Sequence, residues 1–328
     1  MADHRSDYGP ATGTHNNLQN DHGHSSHMTN KPVKLIVNGD DLGYCIPRDC
    51  GIIESFLQGM ITSTSLLVNG QSAQYAIKAC RKHAIPIGLH ANLTEGKPVN
   101  DYNYKTLTDH DNLFWGKFGF RERLTSGDIS LAEVEHEIEA QVVWFINHAK
   151  QLPTHVDGHQ HCHVLPGINN VFASVISKFD IRWTRMPVEK NLESCNWLTE
   201  AQITFYTSVV HEAISSKSVF ENYGVKYTNY FGGLSLMGIN LTKQRIIDWI
   251  DQIINEKANH SVNNDSVTCE LMVHPGYPCK GDGGCGQPPD SFSKSPAREH
   301  EMEIMKDRTL RALLLRKCDF VSYKTLQP

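Results

Sequence analysis

Short apolar runs alternate along this chain with longer stretches in which apolar residues recur every three or four positions. Lys34–Val37 reads as a buried strand. A helix is predicted from Pro47, since proline is pre-organised for a first turn. Ile52, Ile53, Phe56 and Leu57 give it an apolar face, and Gly59 ends it. Strand-like Thr62–Val68, helical Ala73–His83 and strand-like Ile85–Leu93 follow. From Thr94 to about Ser130 no period is visible, and Gly, Asn and Asp turn signals predict a long functional loop. Leu131–Lys150 is the clearest helix, apolar at Val134, Ile138, Val142 and Phe145. Beyond it the pattern predicts strand His155–Gly158, helix Val171–Lys178, strand Ile181–Arg185 and a helix over 198–224. Strand Tyr227–Phe231, helix Thr242–Lys257, strand Val267–Val273, helix Pro296–Leu315 and strand Phe320–Tyr323 complete the series. Such alternation implies parallel strands with helical crossovers, in a barrel or a doubly wound sheet.

Composition narrows the picture. The chain's 328 residues are enough for two average domains or one large α/β domain, and a hydrophobic share of 39% can supply a core. Residues 1–32 are rich in His, Asn, Ser, Gly and Asp and nearly free of aliphatic side chains. They predict a disordered tail, with a metal-binding histidine tract as the lesser alternative; the folded domain is expected over 33–328. A net charge of −5 argues against nucleic acid as a partner, and no apolar run approaches a membrane span. Nine cysteines, an odd number in a large chain without a signal-peptide core, fit a reducing compartment and predict a cytoplasmic protein. A homodimer is left open.

Candidate chemistry falls at the C-terminal ends of predicted strands, the face where parallel α/β barrels build active sites. Asp40 and Asp41 follow the first run. They read either as a metal ligand beside a general base or as part of a turn in Gly39–Gly43. In Thr154-His-Val-Asp-Gly-His-Gln-His-Cys-His163, an extended chain would send the alternating histidines to one side. A helical pairing of His155 with His159 and an incidental surface loop compete with that reading. A catalytic site takes about three protein ligands, so not all of these histidines can serve. His90 ends its strand as a ligand or a packed histidine. His274 precedes Pro-Gly as a general acid or a turn cap, and Arg185 orients a carboxylate or makes a structural ion pair. Cys279 and Cys285 flank a glycine-rich loop whose spacing does not suit zinc. The constellation points to metal-assisted hydrolysis.

Five segments resemble, in order, those of YdjC-like carbohydrate deacetylases, a family related to NodB-type polysaccharide deacetylases. They are Val37-Asn-Gly-Asp-Asp-Leu-Gly43, Thr62-Ser-Thr-Ser-Leu-Leu-Val-Asn-Gly70, Gly88-Leu-His-Ala-Asn-Leu-Thr-Glu-Gly96, the histidine segment 154–163, and Leu271-Met-Val-His-Pro-Gly-Tyr277. The resemblance implies an irregular (β/α) barrel over roughly 33–325 and removal of N-acetyl groups from sugars or oligosaccharides. It implies one divalent cation on Asp41, His90 and His159, with Asp40 as the proton acceptor. His274 and Arg185 are looser transfers from the related family. Magnesium is the cation the family suggests; Asp and His ligands suit zinc, manganese or cobalt at least as well. A metal-dependent phosphoesterase and a catalytically inactive sugar-binding protein are the alternatives.

Overall fold

The computed structural model describes residues 33–260, 266–279, 281 and 283–327; the expected tail, 1–32, lies outside the described residues. Strand β1 (Val33–Leu42) is the hub. It pairs in parallel with β2 (Ser63–Leu66) on one side and β6 (Val267–Val273) on the other. From β2 the sheet continues through β3 (Ile87–Ala91) to β4 (Val156–Gly158), and from β6 to β5 (Tyr230–Gly232). A two-residue β7 (Asp319–Phe320) pairs with the start of β1. All ladders are parallel. The sheet curls into an irregular barrel because Val156 bridges Thr184 and Trp183 bridges Lys226. The predicted strand Ile181–Arg185 is therefore reduced to these isolated bridges.

Helices cover the outside: α1 (Ile46–Gln58), α2 (Ala73–Lys82), α3 (Gly116–Thr125), α4 (Leu131–Ala149), α5 (Ile168–Lys178), α6 (Glu200–Asn222), α7 (Lys243–His260), α8 (Ser291–Lys294), α9 (Ala297–Met305) and α10 (Arg308–Lys317). Pro47 lies in the first turn of α1, as the sequence predicts. α6 begins at a capping box between Thr199 and Gln202. Helix α3 corrects the expectation of a structureless segment over 94–130. Only Phe120 of its residues is buried, so it shows no apolar stripe.

Period-two alternation on β1 explains how the barrel is filled. Val33, Leu35 and Val37 join the core beneath the helices. Ile36 instead packs with Trp183 and Tyr323. Asn38 and Asp40 continue this second face, where the Asn38 amide donates to Asp40 (2.8 Å) and to Ser65 (3.1 Å). The interior thus has an apolar floor and turns polar toward the strand ends. Among the described residues, no helix is long and apolar enough to cross a membrane.

Candidate active site

The carboxylates of Asp40 and Asp41 diverge because the backbone changes hand between them. Asp41 has φ 64° and Gly43 φ 88°, and the β1–β2 register shifts between Gly39 and Leu42. This left-handed step is unusual for a non-glycine residue and marks a functional constraint. It lets neighbouring side chains serve two different centres.

At the first centre, Asp41 Oδ1 stands 3.2 Å from His159 Nδ1 and 3.5 Å from His90 Nε2. The two ring nitrogens are 3.3 Å apart. All three side chains are buried, and Asp41 Oδ1 has no hydrogen-bond partner. Each histidine is held from behind by a carboxylate: His90 Nδ1 by Asp157 (2.7 Å) and His159 Nε2 by Glu95 (2.9 Å). With their far nitrogens donating to those oxygens, both rings turn their other nitrogen toward Asp41. Carboxylate–histidine pairs of this kind orient metal ligands. An unpartnered buried carboxylate oxygen facing two such nitrogens fits a cation. Burial opposes charge on both rings, but Asp157 and Asp40 outweigh it and push His90 up to about 10. Burial lowers His159 too, but the neighbouring carboxylates of Asp41 and Glu95 outweigh it and raise it. A cation bound at this centre would therefore displace protons.

The second centre is built on Arg185. Its Nη1 and Nη2 grip both oxygens of Asp40 at 2.6 and 2.7 Å, a bidentate geometry. The same guanidinium reaches Asp157 (2.9 Å) and Glu270 (2.9 Å), and Glu270 accepts from Tyr323 Oη (2.7 Å). Burial pushes Asp40 up, yet Arg185 and His90 hold it below the usual carboxylate range. His274 Nε2 lies 3.9 Å from Asp40 Oδ2. Burial and the nearby Arg298 push this histidine down to about 3, so it is neutral.

All six residues singled out in the sequence converge here. Three partners escaped that reading. Arg298 donates to Asp41 Oδ2 (2.8 Å), Arg48 approaches the same oxygen (3.6 Å), and Glu95 holds His159. The arginines carried one faint signal: each sits in the first turn of a helix, where the macrodipole disfavours a cation unless an anion is near. The histidine segment does not run extended throughout. A 3₁₀ turn begins at His159, with Gln160 and His161 left-handed, and scatters the later rings. His163 binds the Arg185 carbonyl (3.0 Å), His161 faces Phe231, and His155 stacks on Tyr323.

The sequence matches the family model described as YdjC-like protein over residues 34–316. A carbohydrate deacetylase of Mus musculus is 44% identical over 86% of this chain and 91% of its own. The Homo sapiens carbohydrate deacetylase is 41% identical over 88% of each chain. A chitooligosaccharide deacetylase of Yersinia enterocolitica is 36% identical over 74% of this chain and 81% of its own. Among solved structures, one from Enterococcus faecalis, provisionally described as a cellobiose-phosphate cleavage protein, superposes with a TM-score of 0.68. It is 23% identical and covers 92% of this chain and all of its own, which marks a shared fold. Taken with the match across nearly all of the barrel, these relatives show that the chain belongs to the YdjC-like family.

Proposed function

We propose that this protein is a metal-dependent hydrolase that removes acetyl groups from N-acetylated carbohydrates, oligosaccharides of the chitin type among them. The observation that carries this reading is the side-by-side arrangement of two unlike carboxylates. Asp41 faces His90 and His159, while Asp40 is held by Arg185 on the opposite side. The names of the relatives supply the substrate class.

Asp41, His90 and His159 would hold one divalent cation. Magnesium follows from family resemblance, and zinc, manganese or cobalt suit the donors equally. Such an ion supplies Lewis-acid polarisation of the acetamide carbonyl and of the attacking water. Asp40 is the general base and takes the water proton at Oδ2. Arg185 fixes the orientation of that carboxylate, and Asp157 and Glu270 fix Arg185 in turn. We assign the relay of the water proton to the leaving sugar amine to His274, whose Nε2 lies 3.9 Å from Asp40 Oδ2 and must close to hydrogen-bond distance to take it. Because His274 starts neutral, it must be charged during the cycle before it can act as an acid.

The geometry disfavours a two-metal phosphoesterase. A second group of donors exists, Asp40, His90 and Asp157, but Arg185 already contacts both of its carboxylates and occupies the role a second cation would play. An inactive sugar binder would have no use for the clamped base.

The test is acetate release from N-acetylated mono- and chitooligosaccharides, with chelator and with each candidate metal restored. Chelation should abolish turnover and one equivalent of metal per chain should restore it. Asp40→Asn should keep the metal and lose turnover on the order of 10²–10⁴-fold. No acetate from any of these sugars by the metal-loaded protein would reject the reading.

A further inference from the structure

Eight of the nine cysteines are buried, and Cys45 and Cys279 carry free thiols. Two of them do more than fill space. The starting point is Arg48, whose side chain is fully buried and whose Nε and Nη1 have no hydrogen-bond partner. A buried guanidinium needs an anion. Asp41 lies 3.6 Å from Arg48, but its near oxygen is already bound by Arg298 at 2.8 Å. Arg48 Nη2 instead donates to the sulfur of Cys279 at 3.8 Å.

Cys279 has a second thiol beside it. Cys45 packs in the same cluster, with Tyr44, Leu67 and Cys285, and its thiol shares a hydrogen bond with Cys279. The bond pulls Cys279 down to about 7, with Arg48 and Arg298 adding to it against burial, and the same bond pushes Cys45 up. Gly283 lies against both residues. A Cβ there would stand 2.8 Å from Cys45 Cβ and 3.4 Å from Cys279 Sγ, so only a glycine admits this approach. A thiol lowered toward thiolate beside a second thiol and a guanidinium meets the electrostatic condition of a reactive cysteine, in a residue that is 4% exposed.

We propose that Cys45 and Cys279 form a peroxide-oxidisable dithiol, a modification site joining the glycine-rich loop after β6 to the turn between β1 and α1. Cys279 thiolate attacks a peroxide oxygen and becomes sulfenic acid as the O–O bond breaks and hydroxide leaves. Cys45 thiol then displaces water from that sulfur, and the S–S bond forms. One peroxide is reduced to two water-level oxygens, and two thiols are oxidised to one disulfide. The disulfide carries no charge, so Arg48 would then face Asp41 as its nearest anion.

The test uses the full-length reduced protein treated with hydrogen peroxide and digested without reductant. The expected result is a loss of 2 Da and a peptide pair linked through Cys45 and Cys279, reversed by dithiothreitol. In Cys45→Ser the reaction should stop at Cys279 sulfenic acid, trapped by dimedone. Oxidation confined to Cys50, the more exposed thiol, with Cys45 and Cys279 still reduced, would overturn the proposal. So would a link from Cys279 to Cys285 in place of Cys45.

Discussion

Asp41 shows how much one backbone angle can decide. Its left-handed φ turns its carboxylate away from that of Asp40, and Arg298 and Arg48 flank the oxygen that does not face the histidines. The sequence carries the Asp-Asp pair, His90 and His274 openly, because each ends an apolar run, and His159 through its histidine-rich segment. It also suggested that Gly39 and Gly43 supply the turn. Gly43 does so, while Gly39 keeps ordinary φ and serves as a close contact, a Cβ there lying 3.0 Å from Ile61 Cδ1. The partners from distant segments were not legible: Arg298 is 257 positions from Asp41, and no local pattern announces such a contact. Glu95 lies inside a motif that the resemblance had already marked, yet nothing in that motif says that it holds a histidine. Its role yields a prediction. Glu95→Ala should leave His159 free to rotate and lower the affinity for a divalent cation by about 10–100-fold, as loss of outer-shell partners does. Calorimetric titration of the metal-stripped protein measures this. Unchanged affinity would make Glu95 a packing residue only.

Elements differ in how openly they were written. Helix α4 was plain from its period, but its task was not. Its buried face carries Glu133 and Glu137, which fasten the segment after β3. Glu133 accepts from the amides of Lys105 (2.8 Å), Thr106 (2.9 Å) and Leu107 (2.9 Å) and from Thr106 Oγ1 (2.8 Å). Glu137 accepts from the Val99 amide and Tyr104 Oη. The expected loop is therefore ordered by two carboxylates that a periodicity reading takes for solvent-facing charges. Burial pushes Glu133 up, but the amide bonds outweigh it and hold it below the ordinary 4.5. A depressed folded value means that its contribution is complete above pH 4.5 and lost as pH falls through the lowered value. Glu137 works oppositely. Burial raises it to about 7, so its contribution is complete below 4.5 and fades as pH rises through 7. Glu133→Gln should remove the acid-side loss, and hydrogen exchange at Lys105–Leu107 should become faster at neutral pH. If those amides stay as protected as in the native chain, the fastening lies elsewhere.

At the scale of the whole molecule, the barrel interior is one connected polar chain standing on an apolar floor. It runs from Tyr323 through Glu270, Arg185 and Asp157 to His90, then by Asp41 to His159, Glu95 and Tyr44. The sequence foretold parallel strands, crossovers and a chemical face at the strand ends. It did not foretell that the last segment closes the floor. Predicted strand Phe320–Tyr323 shrinks to Asp319–Phe320, and Tyr323 turns inward, fully buried, onto His155 and Glu270. A period-two pattern over so few residues cannot distinguish a strand from a turn with one inward side chain. Tyr323 is thus the far anchor of Asp40: its hydroxyl fixes Glu270, Glu270 fixes Arg185, and Arg185 fixes Asp40. Burial holds Glu270 above its ordinary value, against Arg185 and Tyr323, so losing one donor should shift it further toward its protonated form. Tyr323→Phe keeps the ring against His155 and removes only the hydroxyl. It should cost about 1–3 kcal/mol for a buried acceptor left short of a donor. Because the anchor lies several bonds from the substrate, turnover should fall while the apparent affinity for sugar and for metal stays near native. Thermal unfolding and steady-state acetate release on the same preparation separate the two effects. A variant with native stability and native turnover would show that the floor of the barrel does not support its mouth.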